Sequence, residues 1–398
     1  MFAISTALQD YAWGSPTAIP VALGLEPDGA PVAEAWFGAH HAGPSLALVD
    51  GMQQPLGGLL ADDPDGLLGA DVVARFGPTL PYLLKLIAAE APLSLQVHPH
   101  VAAARTGYDR EDAAGVPIDA PQRSYRDRNH KPELVYALTR FEAMCGFRAP
   151  RRAAELLEDL DAPLAKELHD LLAAQPTAAG IEAAFTRLLR AETRPGPEAV
   201  QEVVEACAAR LEAGSPSPRA DRTVVRLAAS YPGDPGIVTS LLLNPVTLHP
   251  GDALFVPAGG VHAYLKGLGV EIMASSDNVL RAGLTPKHVD VDELLRNVDY
   301  VAAPPIRIAP ERFHGATRVF YAPVDDFELS VTELLDDDPH PLPGRGPRIL
   351  LCLDGWMEVS AGSGQSLRLG RGRAAFVPAS DGALTVRGTG RLVQADVP

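Results

Sequence analysis

Lysine is the first thing this sequence lacks: only five (Lys85, Lys131, Lys166, Lys266 and Lys287) stand among 34 lysines and arginines in 398 residues. Codon bias in an Ala/Gly/Pro-rich chain explains the scarcity but not where the five sit. Positive charge is short overall, since 34 − 50 leaves a formal net charge of −16. Binding to nucleic acid or an anionic membrane surface needs a basic face, and no basic run supplies one. An anionic small molecule needs only a local cationic cluster. The three cysteines (Cys145, Cys207, Cys352) are far apart, odd in number and without CxxC spacing, which excludes a disulfide framework and a thiolate metal site. No run of about 18 apolar residues exists, and the opening MFAISTALQDYAWG has no basic segment followed by an apolar one. The expectation is a soluble, cytoplasmic, monomeric protein without nucleic-acid or membrane partners.

What is present is enough apolar material for a substantial core, 46% of residues. Residues 1 to about 149 carry short apolar runs such as LPYLLKLIA, APLSLQVHP and PELVYALTRFEAMCGF, broken by Gly and Pro, and read mainly as strands. From 150 to 230 the texture changes: RRAAELLEDLD, PLAKELHDLLAA, TAAGIEAAFTRLLRAE and PEAVQEVVEACAARLE place apolar residues at i, i+3, i+4, the spacing of helices. Strand character returns over 231–315, and 316–398 reads as a smaller unit of short strands.

Three segments carry chemistry. In PLSLQVHPH, Ser94, Gln96 and His98 share one face of a strand while Leu93, Leu95 and Val97 share the other, so the polar face lines something polar. In HPGDALFVPAGGVHAYL, Gly251 is followed by five residues, Pro257, one residue, Gly259, two residues and His262. That spacing resembles the second motif of the cupin superfamily, in which a tight turn aims a histidine into a barrel mouth. Lys266 stands where that motif has asparagine, and Gln96 stands for the first histidine of the family's other motif. In YRDRNHKPELVYAL, Pro132 keeps the residue before it extended, so Lys131 and Glu133 share a face. Gln96, His98, Glu133 and His262 then form a mixed N/O donor set suited to Zn²⁺, and also to Mn, Fe, Co or Ni.

YRDRNHKPE and HAYLKGLGVEIMASSDNVLRAGLTPK resemble, nearly residue for residue, two signatures of the type I mannose-6-phosphate isomerases. DYAWGS, EAWFGAH and LPYLLKLIAAEAPLSLQVHP extend the resemblance along the chain. It implies a mainly β fold with α, in which a cupin-type jelly-roll barrel (1–149 and 231–315) is interrupted by a helical domain (150–230) and followed by a degenerate cupin-like β domain (316–398). It also implies one Zn²⁺ per chain on Gln96, His98, Glu133 and His262, a hexose phosphate substrate, and interconversion of mannose 6-phosphate and fructose 6-phosphate. Arg281 and Lys131 are implied in the active site, and Lys85 as a phosphate contact.

Isomerisation through an enediol needs a base and an anion stabiliser. Glu271, nine residues after His262, is the first choice for the base, with Lys131 and His130 as competitors. Arg281 supplies fixed positive charge. Lys287 joins Lys85 as a phosphate candidate, with Ser94 and Ser276 as hydroxyl donors, and Trp13 as a pocket-lining aromatic. The doublet His40–His41 reads as structural, since no carboxylate lies at strand spacing from it. A related isomerase of a different or unphosphorylated sugar, an iron-dependent cupin dioxygenase and a non-catalytic sugar sensor are the rival readings.

Overall fold

A computed structural model describes all 398 residues. It is a mixed α/β protein with two large antiparallel sheets. In one sheet the central order runs through β1 (Glu34–Phe37), β2 (Tyr82–Ala89), β4 (Glu133–Ala137) and β5 (His262–Ala274), with β5 between β2 and β4. β3 (Leu95–Val97) and β6 (Leu280–Gly283) join at the far end of β5, where β3 pairs with both β5 and β6.

β2 is buried along its whole length, and its apolar run with one interrupting cation reports that position. Leu84, Leu86 and Ala88 pack into the core shared with the second sheet, whereas Lys85 faces the other way. β5 is irregular. Its ladder shifts between Tyr264 and Lys266, a bulge that changes which residues share a face. Before it His262 and Tyr264 point inward, and after it Glu271 and Met273 do. Without that shift, His262 and Glu271, an odd number of residues apart, would lie on opposite faces.

The helices α1 (Pro150–Glu158), α2 (Pro163–Ala174), α3 (Ala178–Leu189), α4 (Pro197–Glu212) and α5 (Pro218–Ser230) fill the middle of the chain. Four of them begin on proline, which is pre-set for the first helical turn and lacks the N–H that would go unpaired there. Their apolar faces, including Leu157, Leu168, Phe185, Val203 and Leu227, share one core with Leu95, Val97 and Leu280. Each such side chain contributes roughly 1.5–3 kcal/mol on burial, so the helices clamp the back of the strands that present Gln96 and Arg281.

The second sheet holds the C-terminal strands, of which Arg348–Ala361 and Leu384–Asp396 form the long central pair. Strands Phe2–Ile4, Leu46–Val49 and Met52–Pro55 also belong to it. Of these, Phe2–Ile4 makes the link, pairing with Ala374–Val377 some 370 residues further on, while Leu46–Val49 pairs with Phe2–Ile4 and Met52–Pro55 with Leu46–Val49.

Candidate active site

Two rows of side chains cross the inner face of the first sheet. In one, His262 on β5 lies opposite Gln96 on β3, which lies opposite Arg281 on β6; directly opposed residues share a face. In the other, Trp36, Lys85 and Glu271 are opposed across β1, β2 and β5. Glu133, at the start of β4, stands between the rows.

Glu133 faces both imidazoles, with Oε1 3.1 Å from His98 Nε2 and Oε2 3.5 Å from His262 Nε2, and Lys131 Nζ is 3.6 Å from Oε1. The donor atoms of His98, Glu133 and His262 lie within 4.8 Å of one another, and all three residues are buried. The other ring nitrogens are already engaged. His98 Nδ1 donates to the Asn278 carbonyl (2.8 Å) and His262 Nδ1 to the Gly260 carbonyl (3.0 Å). Each ring is thereby held in the tautomer whose Nε2 offers a lone pair. His98 Nε2 has no hydrogen-bond partner although it is buried. Burial, opposed by the Glu133 charge, pushes His98 down to about 4, so the ring is neutral at pH 7. Burial works against ionisation of Glu133, but His98, His262 and Lys131 together outweigh it and hold the carboxyl well below its ordinary range. Two imidazoles and a carboxylate, with the Gln96 amide alongside, fit a borderline divalent cation such as Zn²⁺.

Lys85 is buried, with Nζ 3.3 Å from Glu271 Oε2 and 3.8 Å from Glu34 Oε1. Burial alone would lower its pKa, but Glu34, Glu271 and Glu133 together raise it. Trp36 Nε1 donates to Glu34 Oε2 (2.7 Å), and the Lys85 ammonium lies 5.3 Å from the Trp36 ring. Glu271 moves in the opposite sense from a usual ion-paired carboxyl: burial first, then the Glu133 charge, overcome Lys85 and push it up to about 7. That value suits a group that takes and returns a proton near neutrality.

These rows open on a cavity of about 540 Å³ lined by Trp13, Glu34, Lys85, Ser94, Gln96, Lys131, Arg281 and Lys287, and by Arg126. Arg126, Arg281 and Lys287 form a cationic cluster without a carboxylate partner. Burial lowers Arg281 and Lys287, and the neighbouring positive charges lower them further.

Several expectations change here. Lys85 does not suit a phosphate contact: a dianion there would meet Glu34 and Glu271 beside the same ammonium. Both carboxyl groups already lie within 4 Å of that ammonium and occupy its charge. His130 turns away from the cavity, and its Nε2 lies 2.9 Å from Asp326 Oδ2; it does not reach the reacting centre. Ser276 is spent within the loop, donating to Asp127 Oδ1 at 2.9 Å. Lys166 and Lys266 are surface residues paired with Asp161 and Glu90. Trp13 stacks on Tyr11 at the rim.

The His40–His41 doublet does acquire a carboxylate, from 236 residues away: Asp277 lies 3.0 Å from His40 Nε2 and 3.8 Å from His41 Nε2. Ala42 N–H donates to His40 Nδ1 (3.2 Å), so the proton of the neutral ring sits on Nε2 and is given to Asp277. Sequence reasoning missed Arg126, Glu34 and Asn278. Only EAWF offered a signal, a charged residue at the head of an otherwise apolar strand.

A family model described as phosphomannose isomerase type I, catalytic domain, matches residues 1–150. The chain is 39% identical over 391 residues to the mannose-6-phosphate isomerase of Escherichia coli (strain K12), covering 98% of this chain and 97% of that one. It is 32% identical over 417 residues to the mannose-6-phosphate isomerase of Homo sapiens, covering 96% and 94%. Among solved structures, a zinc-bound mannose 6-phosphate isomerase is similar with a TM-score of 0.89 at 37% identity, covering 99% and 98%. A variant of the phosphomannose isomerase from Salmonella typhimurium is similar with a TM-score of 0.90 at 37% identity and the same coverage. With likeness of this extent in both sequence and structure, the chain belongs to the type I phosphomannose isomerase family.

Proposed function

We infer that this chain is a zinc-dependent aldose–ketose isomerase that interconverts mannose 6-phosphate and fructose 6-phosphate. The observation that carries the reading is an orphaned imidazole lone pair at His98 and a carboxyl pushed up to about 7 at Glu271, set directly behind Gln96, Lys131 and Lys85, which line one cavity with three unpaired cations. We read the fold as a cupin-type jelly-roll barrel, with 150–230 as an inserted helical domain and the C-terminal strands as a degenerate second barrel. The pairing of strands 2–4 and 46–55 favours counting them with that second barrel.

Zn²⁺ would be held by Gln96, His98, Glu133 and His262, and when bound it polarises the carbonyl at C1 or C2 and favours the enediolate. Glu271 takes the proton from C2 of the open-chain aldose and returns it to C1. Lys85 keeps the Glu271 carboxylate oriented, and Glu34 keeps Lys85 charged. Lys131, which unlike arginine can lose its proton, suits ring opening. Arg281, opposite Gln96 and beside Arg126 and Lys287, links the reacting end to the phosphate end. Arg126 and Lys287, with Ser94 at the rim, hold the phosphate dianion, and Trp13 closes one side of the pocket.

A coupled assay on mannose 6-phosphate, run on protein before and after chelation and again after adding zinc, tests this. Activity lost with the metal and restored by zinc is expected. Full turnover in metal-free protein, or iron with oxygen uptake in place of isomerisation, would overturn it.

A further inference from the structure

We propose that Asn278 is a positioning residue that sets the metal end and the phosphate end of the pocket in one register. The inference rests on the zinc-isomerase reading above. Asn278 is completely buried on the segment joining β5 to β6. Its Oδ1 accepts the backbone N–H of Arg126 (2.7 Å) and of Asp127 (3.2 Å). Its Nδ2 donates to the carbonyls of Asp127 (2.9 Å) and Asn129 (2.8 Å), and to Asp127 Oδ1 at 3.1 Å. Its own backbone carbonyl accepts His98 Nδ1–H.

A primary amide has two donor hydrogens and an oxygen with two lone pairs, and here all of that capacity is used on one loop. That loop carries Arg126 at one end and leads directly into Lys131 and Glu133 at the other. The bond to His98 fixes the ring of a metal ligand, and Arg281 follows three residues later on the same segment. One side chain and its carbonyl therefore hold His98, the loop bearing Arg126, and the approach to Glu133. Asp277 and Ser276 reinforce the loop, through Asp277 N–H to Asp127 Oδ2 and Ser276 Oγ to Asp127 Oδ1, but neither touches His98. No residue but asparagine meets this pattern: aspartate would face the Asp127 and Asn129 carbonyls with a second acceptor, and serine cannot serve both sides of the loop.

The test compares purified holoenzymes of the parent, Asn278→Ala, Asn278→Asp, Asn278→Ser and Ser276→Ala. Zinc affinity is read by competition with a chromophoric chelator, and kcat and KM for mannose 6-phosphate and the thermal midpoint are measured alongside. Every variant keeps the backbone carbonyl that accepts from His98, so the side chain is tested through the placement of that carbonyl and of the loop leading to Glu133; disturbing the support of metal ligands lowers metal affinity about 10–100-fold. That loss is expected for Ala and Asp at 278, together with a KM raised about tenfold, and a smaller loss in the same direction for Ser, which also serves if Ala does not fold. Ser276→Ala is expected to stay within about threefold of the parent in both. If the 278 variants melt earlier yet bind zinc and substrate like the parent, Asn278 is only structural and the proposal falls. A parent without isomerase activity would instead overturn the functional reading, and the zinc measurement would still test the link to His98.

Discussion

Two clusters in this protein each join two imidazoles to one carboxylate within 4.8 Å: His98, His262 and Glu133, and His40, His41 and Asp277. By composition they are equivalent metal-site candidates. They differ in the partners of the nitrogens that face away. Behind His98 and His262 stand backbone carbonyls, which demand a proton on Nδ1 and leave Nε2 bare. Behind His40 stands a backbone N–H, which takes the Nδ1 lone pair and puts the proton between His40 and Asp277. The first cluster is buried, while the side chain of His41 is 78% exposed. The lesson is that the direction of a hydrogen bond one layer out decides whether a His/His/carboxylate group is a ligand set or a hydrogen-bonded pair.

The strongest way to break this comparison is to remove the carboxylate of the buried cluster. Glu133→Gln is expected to lose bound zinc and to drop turnover to near background, measured by metal analysis and the coupled assay. A variant that keeps stoichiometric zinc would refute the ligand assignment. Next, Glu271→Gln is expected to keep its zinc while losing about 10²–10⁴ in kcat, which separates metal holding from proton transfer. In the parent, kcat/KM should climb as pH rises through about 7, where the Glu271 carboxyl ionises. The same shift has a stability sign. Because the folded pKa lies above the unfolded one, ionisation in the unfolded chain favours unfolding as pH rises from about 4.5 to 7. Glu271→Gln should therefore melt later than the parent above pH 7, by the equivalent of about 1–3 kcal/mol, and the gain should vanish near pH 4.5.

A smaller effect distinguishes the two kinds of lysine. Lys287→Ala removes a charge-assisted contact of about 1.5–3 kcal/mol, so KM for mannose 6-phosphate should rise about 10–100-fold with little change for free mannose. Lys85→Ala is expected to lower kcat more than it raises KM; the reverse result would return the phosphate role to Lys85. Smallest of all, His41→Ala should leave one zinc per chain and shift stability by less than about 0.5 kcal/mol. A fall in bound metal would make the second cluster a true site.

Much of this was legible in the sequence wherever chemistry follows strand alternation. Gln96 and His98 alternate with Leu95 and Val97, and Lys131 stands two before Glu133, so the face each residue takes could be read directly. The helical stretch was legible for a similar reason, because proline and a 3.6-residue apolar period mark its parts. What could not be read came from pairings across long separations. Lys85 reads as a free cation until Glu34 and Glu271 arrive on the neighbouring strands. Arg126 looks like one of many arginines until the loop at 276–278 folds it beside Arg281. The N-terminal strand at 2–4 carries no local sign that one of its partners lies near the other end of the chain.

The bulge between Tyr264 and Lys266 bears on how this segment can evolve. Substitutions along β5 exchange one side chain for another, but a single-residue deletion at the bulge would restore the regular pleat and reverse the parity of everything after it. His262 would stay in the pocket while Glu271 turned toward the core behind it. The strand is thus tolerant of spelling changes and intolerant of changes in length, and a lineage could lose proton transfer by one in-frame codon deletion while retaining every residue named here and its grip on the metal.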